Sequence, residues 1–143
     1  MKEKWFDTNA TWLAANGMIP KSNHGHLDTG SFVVDMLGER LIIDIGANNY
    51  DASGYFSTQR YHYYRTRPEG HNMFLINPVA QLDDYGGFAP WVDASGSGIT
   101  ATAEGAYYTI DLSDVYAEDT TSAIRGYMLM DDRRNVVIRD EIT

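Results

Sequence analysis

The chain is 143 residues long, carries a formal net charge of −9 and contains no cysteine. That length suits one domain whose core can form without staples, and the missing cysteines exclude disulfides, thiolate metal sites and cysteine nucleophiles. The acidic balance argues against a general nucleic-acid binder, whose phosphate contacts need clustered cations, and no apolar run is long enough to cross a bilayer as a helix.

The first residues, Met1-Lys2-Glu3-Lys4-Trp5, do not read as a secretory start and suggest an internal boundary. From there the texture is β: short runs of Val, Ile, Tyr, Phe and Thr punctuated by Gly, Asn and Asp. Residues 11–15 read as a first strand ending at Asn16-Gly17. Residues 31–36 and 40–45 flank Leu37-Gly38-Glu39 and make the clearest hairpin. In its second arm Leu41, Ile43 and Ile45 share one face, and Asp44 lies on the other with Arg40 and Ile42. Residues 50–67 are rich in tyrosine and show no period. Further strands are expected at 72–76, 98–103, 106–112, 124–130 and 135–139, with a turn at 131–134 and a long loop over 81–98. No helical period is sustained. The expected fold is an all-β antiparallel sandwich, a single domain over 1–143 and part of a larger sandwich, because the last strand has barely finished where the chain stops.

Two groups of residues carry chemistry. His24-Gly25-His26 precedes the hairpin, Asp44 is set among large aliphatics, and His71 opens an apolar run. A carboxylate in such company is costly to bury unless it is paired or coordinated. Folding the hairpin brings Asp44 back toward the loop carrying His26, and His71 must arrive from a neighbouring segment. Two neutral imidazoles and one carboxylate suit a zinc ion. An aspartate accepting hydrogen bonds from histidine and backbone amides explains the same residues without metal, and both readings stand at this level. His62 reads as an exposed strand residue. In the second group, Tyr50, Tyr55, Tyr61, Tyr63 and Tyr64 interleave with Arg60, Arg65 and Arg67. Tyrosine rings stack on sugars and arginine forks bind carboxylates or sulfates, but aromatics are also ordinary strand formers. No nucleophile elbow and no phosphate-binding loop is present.

Four motifs, in this order and spacing, resemble the heparinase II/III-like polysaccharide lyases. They are Asn23-His24-Gly25-His26-Leu27-Asp28-Thr29-Gly30-Ser31-Phe32, Ile43-Asp44-Ile45-Gly46, Tyr63-Tyr64-Arg65 and Glu69-Gly70-His71-Asn72. Residues 111–116 and 137–141 are similar to the family's continuing strands, so the resemblance runs from about Trp12 to the end. It implies a C-terminal β-sandwich that packs on a helical toroid, with an acidic uronate polymer such as heparin, heparan sulfate or alginate cleaved by β-elimination between them. It implies a structural zinc on His26, Asp44 and His71, a cleft-facing catalytic role for His24, and a substrate wall including Tyr61, Tyr63, Tyr64, Arg65 and Arg67. It implies a periplasmic or secreted parent enzyme. Nothing in this chain supplies the toroid, which in the family carries the principal catalytic tyrosine and the group that neutralises the carboxylate. The chain by itself is therefore expected to bind metal without lyase activity, and to self-associate if the toroid-facing surface is bare. A non-catalytic carbohydrate-binding module and a zinc-dependent hydrolase are the rival readings.

Overall fold

The computed structural model describes residues 1–17, 24–78, 85–90 and 92–143. Asn23 of the first motif, and 81–84 and 91 of the expected loop, lie outside the described residues. The chain is all-β, with two antiparallel sheets whose inner faces share one core, consistent with a β-sandwich.

The first sheet has the order β1 (Trp12–Ala15), β2 (Phe32–Met36), β3 (Glu39–Ile42). Leu13 lies opposite Val34 and both are buried. The β2–β3 turn is two residues, Leu37 and Gly38, both at positive φ (56° and 82°), the backbone that matches the twist of a tight hairpin. β3 is shorter than its apolar run and stops at Ile42. The side chain of Asn72 replaces the ladder there, donating from Nδ2 to the carbonyls of Phe32 (2.7 Å) and Ile43 (2.8 Å). Asp44 then turns the chain by accepting from the Gly46 amide at 2.7 Å.

The second sheet has the order β4 (Ser95–Gly96), β6 (Ala106–Asp111), β7 (Ala123–Met130), β8 (Asn135–Ile142), with β5 (Thr100–Ala101) also pairing β6. Strict alternation in β7 sends Ala123, Arg125, Tyr127 and Leu129 inward, where all four are buried. Tyr127 stacks on Tyr108 of β6 (centroids 4.9 Å apart) and meets Phe32 of the first sheet edge-on (6.3 Å). Residues 131–134 form the expected turn, with Asp131, Asp132 and Arg133 all at positive φ.

Residues 72–76 do not form the expected strand. Their polar groups are claimed one by one instead: the Met73 amide by the His71 carbonyl (2.9 Å), the Phe74 carbonyl by the Tyr116 hydroxyl (2.9 Å), the Ile76 amide by the Gly86 carbonyl (2.8 Å). An apolar run reads alike whether a ladder or side chains satisfy its backbone. The stretch 50–67, which shows no period, holds the 3-10 turns Thr58–His62 and Tyr64–Thr66, followed by Pro68–Gly70. His62 therefore lies on a 3-10 turn and is half-buried.

Candidate metal centre and its surroundings

The His24–Gly30 segment alternates about its buried members: Leu27 is fully buried, while His26 and Asp28 flank it and turn to the other side. Two contacts hold the segment. The Leu27 amide donates to the Thr66 carbonyl (2.9 Å), and Arg60 Nη1 donates to the carbonyl of Gly25, between the two histidines (3.1 Å). Arg60 is itself buried, with its guanidinium 5.5 Å from the Tyr55 ring and 5.8 Å from Phe56. At the far end Gly30 has φ +97°, and a Cβ there would meet Leu112 at 3.0 Å. Only glycine suits that position. Its carbonyl accepts from the Tyr127 hydroxyl (2.6 Å) and from Arg125 Nη1 (3.0 Å), which ties the segment to the second sheet.

His71 follows the last 3-10 turn, its amide bonded to the Pro68 carbonyl at 3.1 Å. Its side chain is only 1 % exposed. Nδ1 lies 2.6 Å from Asp44 Oδ2, whereas Nε2 is buried without a hydrogen-bond partner among the described residues. The His26 ring stands 5.2 Å from that of His71, and His26 Nε2 is 3.4 Å from the Tyr55 hydroxyl. A ligand-type atom from each of His26, Asp28 and His71 lies within 4.8 Å of the other two. The structure thus gathers His26, Asp44 and His71 at one place, and adds Asp28, which sequence reasoning passed over. The signal was available: Asp28 follows His26 by two residues, on the same side of an extended segment.

Electrostatics match the crowding. Burial, then the neighbouring His71, hold the His26 pKa below its ordinary value, so its imidazole is neutral at pH 7. Burial raises the Asp28 pKa, and His71 and Asn16 offset that only in part. Burial would raise Asp44 too, but hydrogen bonds from His71 and the Gly46 amide outweigh it and leave its carboxyl below the usual range. A buried imidazole nitrogen without a partner, beside a second imidazole and two carboxylates, is a donor set that fits zinc. An open groove of about 320 Å³ runs along this cluster, lined by Ala14, Asn16, Asp28, Phe32 and Asp44 among others.

His24 is exposed and stands apart from the cluster, its ring 5.4 Å from Tyr50 and 5.5 Å from Phe56. The Tyr–Arg strip divides. Tyr61 and Arg67 are buried (4 % and 8 % exposed), and Arg67 forks onto Glu69, with Nη2 at 2.6 Å from Oε1 and Nε at 3.0 Å from Oε2. Tyr64 is 62 % exposed, and Tyr63 donates its hydroxyl to the Ser53 carbonyl (2.7 Å). Arg65 reaches the Ile45 carbonyl (2.5 Å), just beyond Asp44. Tyr50 and Phe56, both exposed, extend this aromatic surface around His24.

Gly70 is where backbone placement of His71 is most exposed to test. A Cβ there would lie 2.1 Å from the Tyr64 carbonyl oxygen, a clash with main chain that no rotamer relieves. Gly70→Ala is expected to cost about 2 kcal/mol in urea denaturation, within the range for forced overpacking. An unchanged midpoint would show that the turn yields freely.

The fold and the cluster together define a β-sheet domain of the sandwich type with a partly buried His/Asp cluster. The family model described as Heparinase II/III-like, C-terminal, matches residues 4–143, and the chain belongs to that family. No curated protein matches the chain.

Proposed function

We infer that this chain is the C-terminal β-domain of a polysaccharide lyase that acts by β-elimination on a uronate-containing polymer, and that it carries a structural zinc on His26, Asp44 and His71. The observation that carries the reading is the buried, partnerless Nε2 of His71 beside His26, in a chain of this family. Bound there, zinc would supply no reacting group; it would clamp the His24–Gly30 segment, the end of the first hairpin and the His71 segment to one another.

The chain's own residues then divide the work. His24, exposed two residues before a clamped histidine, is placed to hold or pass a proton at its imidazole, a general acid–base role. Tyr63, Tyr64 and Arg65 offer stacking surface and a cation to an acidic sugar chain, while Tyr61 and Arg67 support that wall from inside. β-Elimination also needs a base at the carbon beside the carboxylate and a partner that neutralises the carboxylate. We assign both to the family's helical domain, as the resemblance implies, which makes that domain the chain's partner and leaves the chain alone inactive.

Metal analysis of the purified chain should find about one zinc per molecule. Incubation with heparan sulfate or alginate should give no growth of the unsaturated-uronate ultraviolet absorbance. Steady growth would refute the claim of inactivity, and a chain that holds no zinc would refute the clamp. A carbohydrate-binding module is the second reading, favoured by the exposed Tyr50, Phe56 and Tyr64; it predicts micromolar sugar binding that survives removal of zinc.

A further inference from the structure

Both oxygens of Asp44 are already engaged. Oδ1 accepts from the Gly46 amide at 2.7 Å, and Oδ2 lies 2.6 Å from Nδ1 of His71. An ionised carboxylate can only accept, so the proton of that short contact sits on Nδ1. Neutral His71 then presents Nε2 as a bare lone pair on the other side of its ring. That nitrogen is buried, on a side chain only 1 % exposed, and has no hydrogen-bond partner among the described residues. A buried acceptor left bare is costly, and a metal ion satisfies it. The carboxylate that shares a cluster with both imidazoles is Asp28. One of its oxygens and a ring nitrogen from each of His26 and His71 lie within 4.8 Å of one another, and among the described residues Asp44 is outside that set.

We propose that Asp28, together with His26 and Nε2 of His71, holds the bound metal directly, and that Asp44 is a positioning residue acting through Nδ1 of His71. The proposal rests on the metal reading above and changes one carboxylate in it. The resemblance carries Asp44 onto the metal by its place in the motifs, whereas its two hydrogen bonds set it one step further out. The arrangement has a chemical purpose. A carboxylate that accepts from one imidazole nitrogen fixes the tautomer and the ring orientation, and makes the other nitrogen a stronger donor to metal. Asp28 supplies the anionic oxygen ligand. It follows His26 by two residues across the fully buried Leu27, so one extended segment delivers two ligands. The end of the first hairpin is then joined to the centre through His71.

The test uses the intact chain with Zn²⁺ and Co²⁺ as probes. Because the chain contains no cysteine, a single introduced thiolate reports only on its own position. Asp28→Cys loaded with Co²⁺ should gain the near-ultraviolet charge-transfer absorption of a thiolate ligand, and Asp44→Cys should gain none. Loss of an outer partner of a metal site lowers affinity by about 10–100-fold, so Asp44→Ala should fall in that range and Asp28→Asn beyond it. Asp44→Asn should recover most of the loss, because its amide oxygen still accepts from Nδ1–H. Imidazole nitrogen NMR of the zinc-loaded, unaltered chain should show His71 protonated at Nδ1 and bound at Nε2, a readout that stands if the cysteine variants fail to fold. Four results would each overturn the proposal and leave the zinc reading standing: a folded, cobalt-loaded Asp28→Cys without the band, the band in Asp44→Cys, equal losses in Asp44→Asn and Asp44→Ala, or His71 bound through Nδ1. Absence of zinc binding by the unaltered chain would overturn both.

Discussion

Arg125→Met is expected to lower the folding stability of the chain by about 3 kcal/mol, measured by urea denaturation, the size of effect seen when one partner of a buried ion pair is removed. Arg125 is 3 % exposed on the inward face of β7, between the rings of Phe32 (5.7 Å) and Phe74 (5.0 Å). It forks onto Asp140 of β8, with Nε at 2.6 Å from Oδ1 and Nη2 at 2.9 Å from Oδ2. Nη1 donates to the carbonyls of Gly30 (3.0 Å) and Asn72 (2.7 Å), one at the end of the His24–Gly30 segment and the other next to His71. One guanidinium therefore holds both segments of the candidate centre against the second sheet. Asp140 is about one-third exposed, so water softens the loss on its side, and the lower end of the usual range applies.

The two carbonyls distinguish this account from a simple ion pair. Removing both charges together, as Arg125→Met with Asp140→Leu, should recover only part of the loss, because the Gly30 and Asn72 carbonyls remain buried without that donor. Arg125→Lys should recover little, since an ammonium cannot serve a bidentate carboxylate and two carbonyls at once. Both variants should also weaken zinc binding, through the loops rather than through any ligand. A double variant as stable as the unaltered chain would show that the carbonyl contacts contribute nothing.

Stripping zinc from the loaded chain with a chelator is expected to have the second large effect. At free zinc about 100 times the dissociation constant, binding to the folded state adds about 2.7 kcal/mol, roughly 10 °C in melting temperature for a domain of this size. The effect should depend on pH in a stated direction. Zinc needs neutral imidazoles, so protons compete as pH falls. Burial already holds His26 below its ordinary pKa, so the zinc-dependent shift should be full at pH 7.5 and decline only as pH falls below the ordinary histidine value of about 6.5. In the metal-free chain the depressed His26 pKa means that the unfolded state takes up that proton first, so its stability contribution is present above about 6.5 and is lost as pH falls. Asp28 acts in the opposite sense: its raised pKa favours the folded chain once the carboxyl is protonated. A zinc-dependent shift equal at pH 5 and pH 7.5 would show that histidine ligation is not the basis of binding.

Much of the sheet structure was legible before any coordinates. The hairpin over Phe32–Met36 and Glu39–Ile42 follows from alternating apolar residues about Leu37-Gly38, and the β6–β7–β8 meander from alternation with short turns. Such features are local: they depend on period two and on which residues tolerate positive φ. Residues 72–76 and the single residue His62 were misjudged as strand where local pattern loses its force. There the backbone is satisfied by Tyr116, by the Gly86 carbonyl and by successive 3-10 turns.

The sequence by itself determined the all-β class, the absence of thiol chemistry and the set of imidazoles and carboxylates from which a metal centre can be built, because composition, period and motif are properties of neighbours along the chain. Tertiary structure alone decided how those groups are shared out. It set Asp44 on Nδ1 of His71, brought Asp28 to both imidazoles, left His24 outside the cluster and turned Tyr61 and Arg67 inward. The physical reason lies in contacts spanning tens of residues: Arg60 to Gly25, Arg125 to Gly30 and Asn72, Asn72 to Phe32 and Ile43. Each joins a side-chain donor to a carbonyl far along the chain, and which carbonyl it finds is fixed only when both sheets have closed over the core.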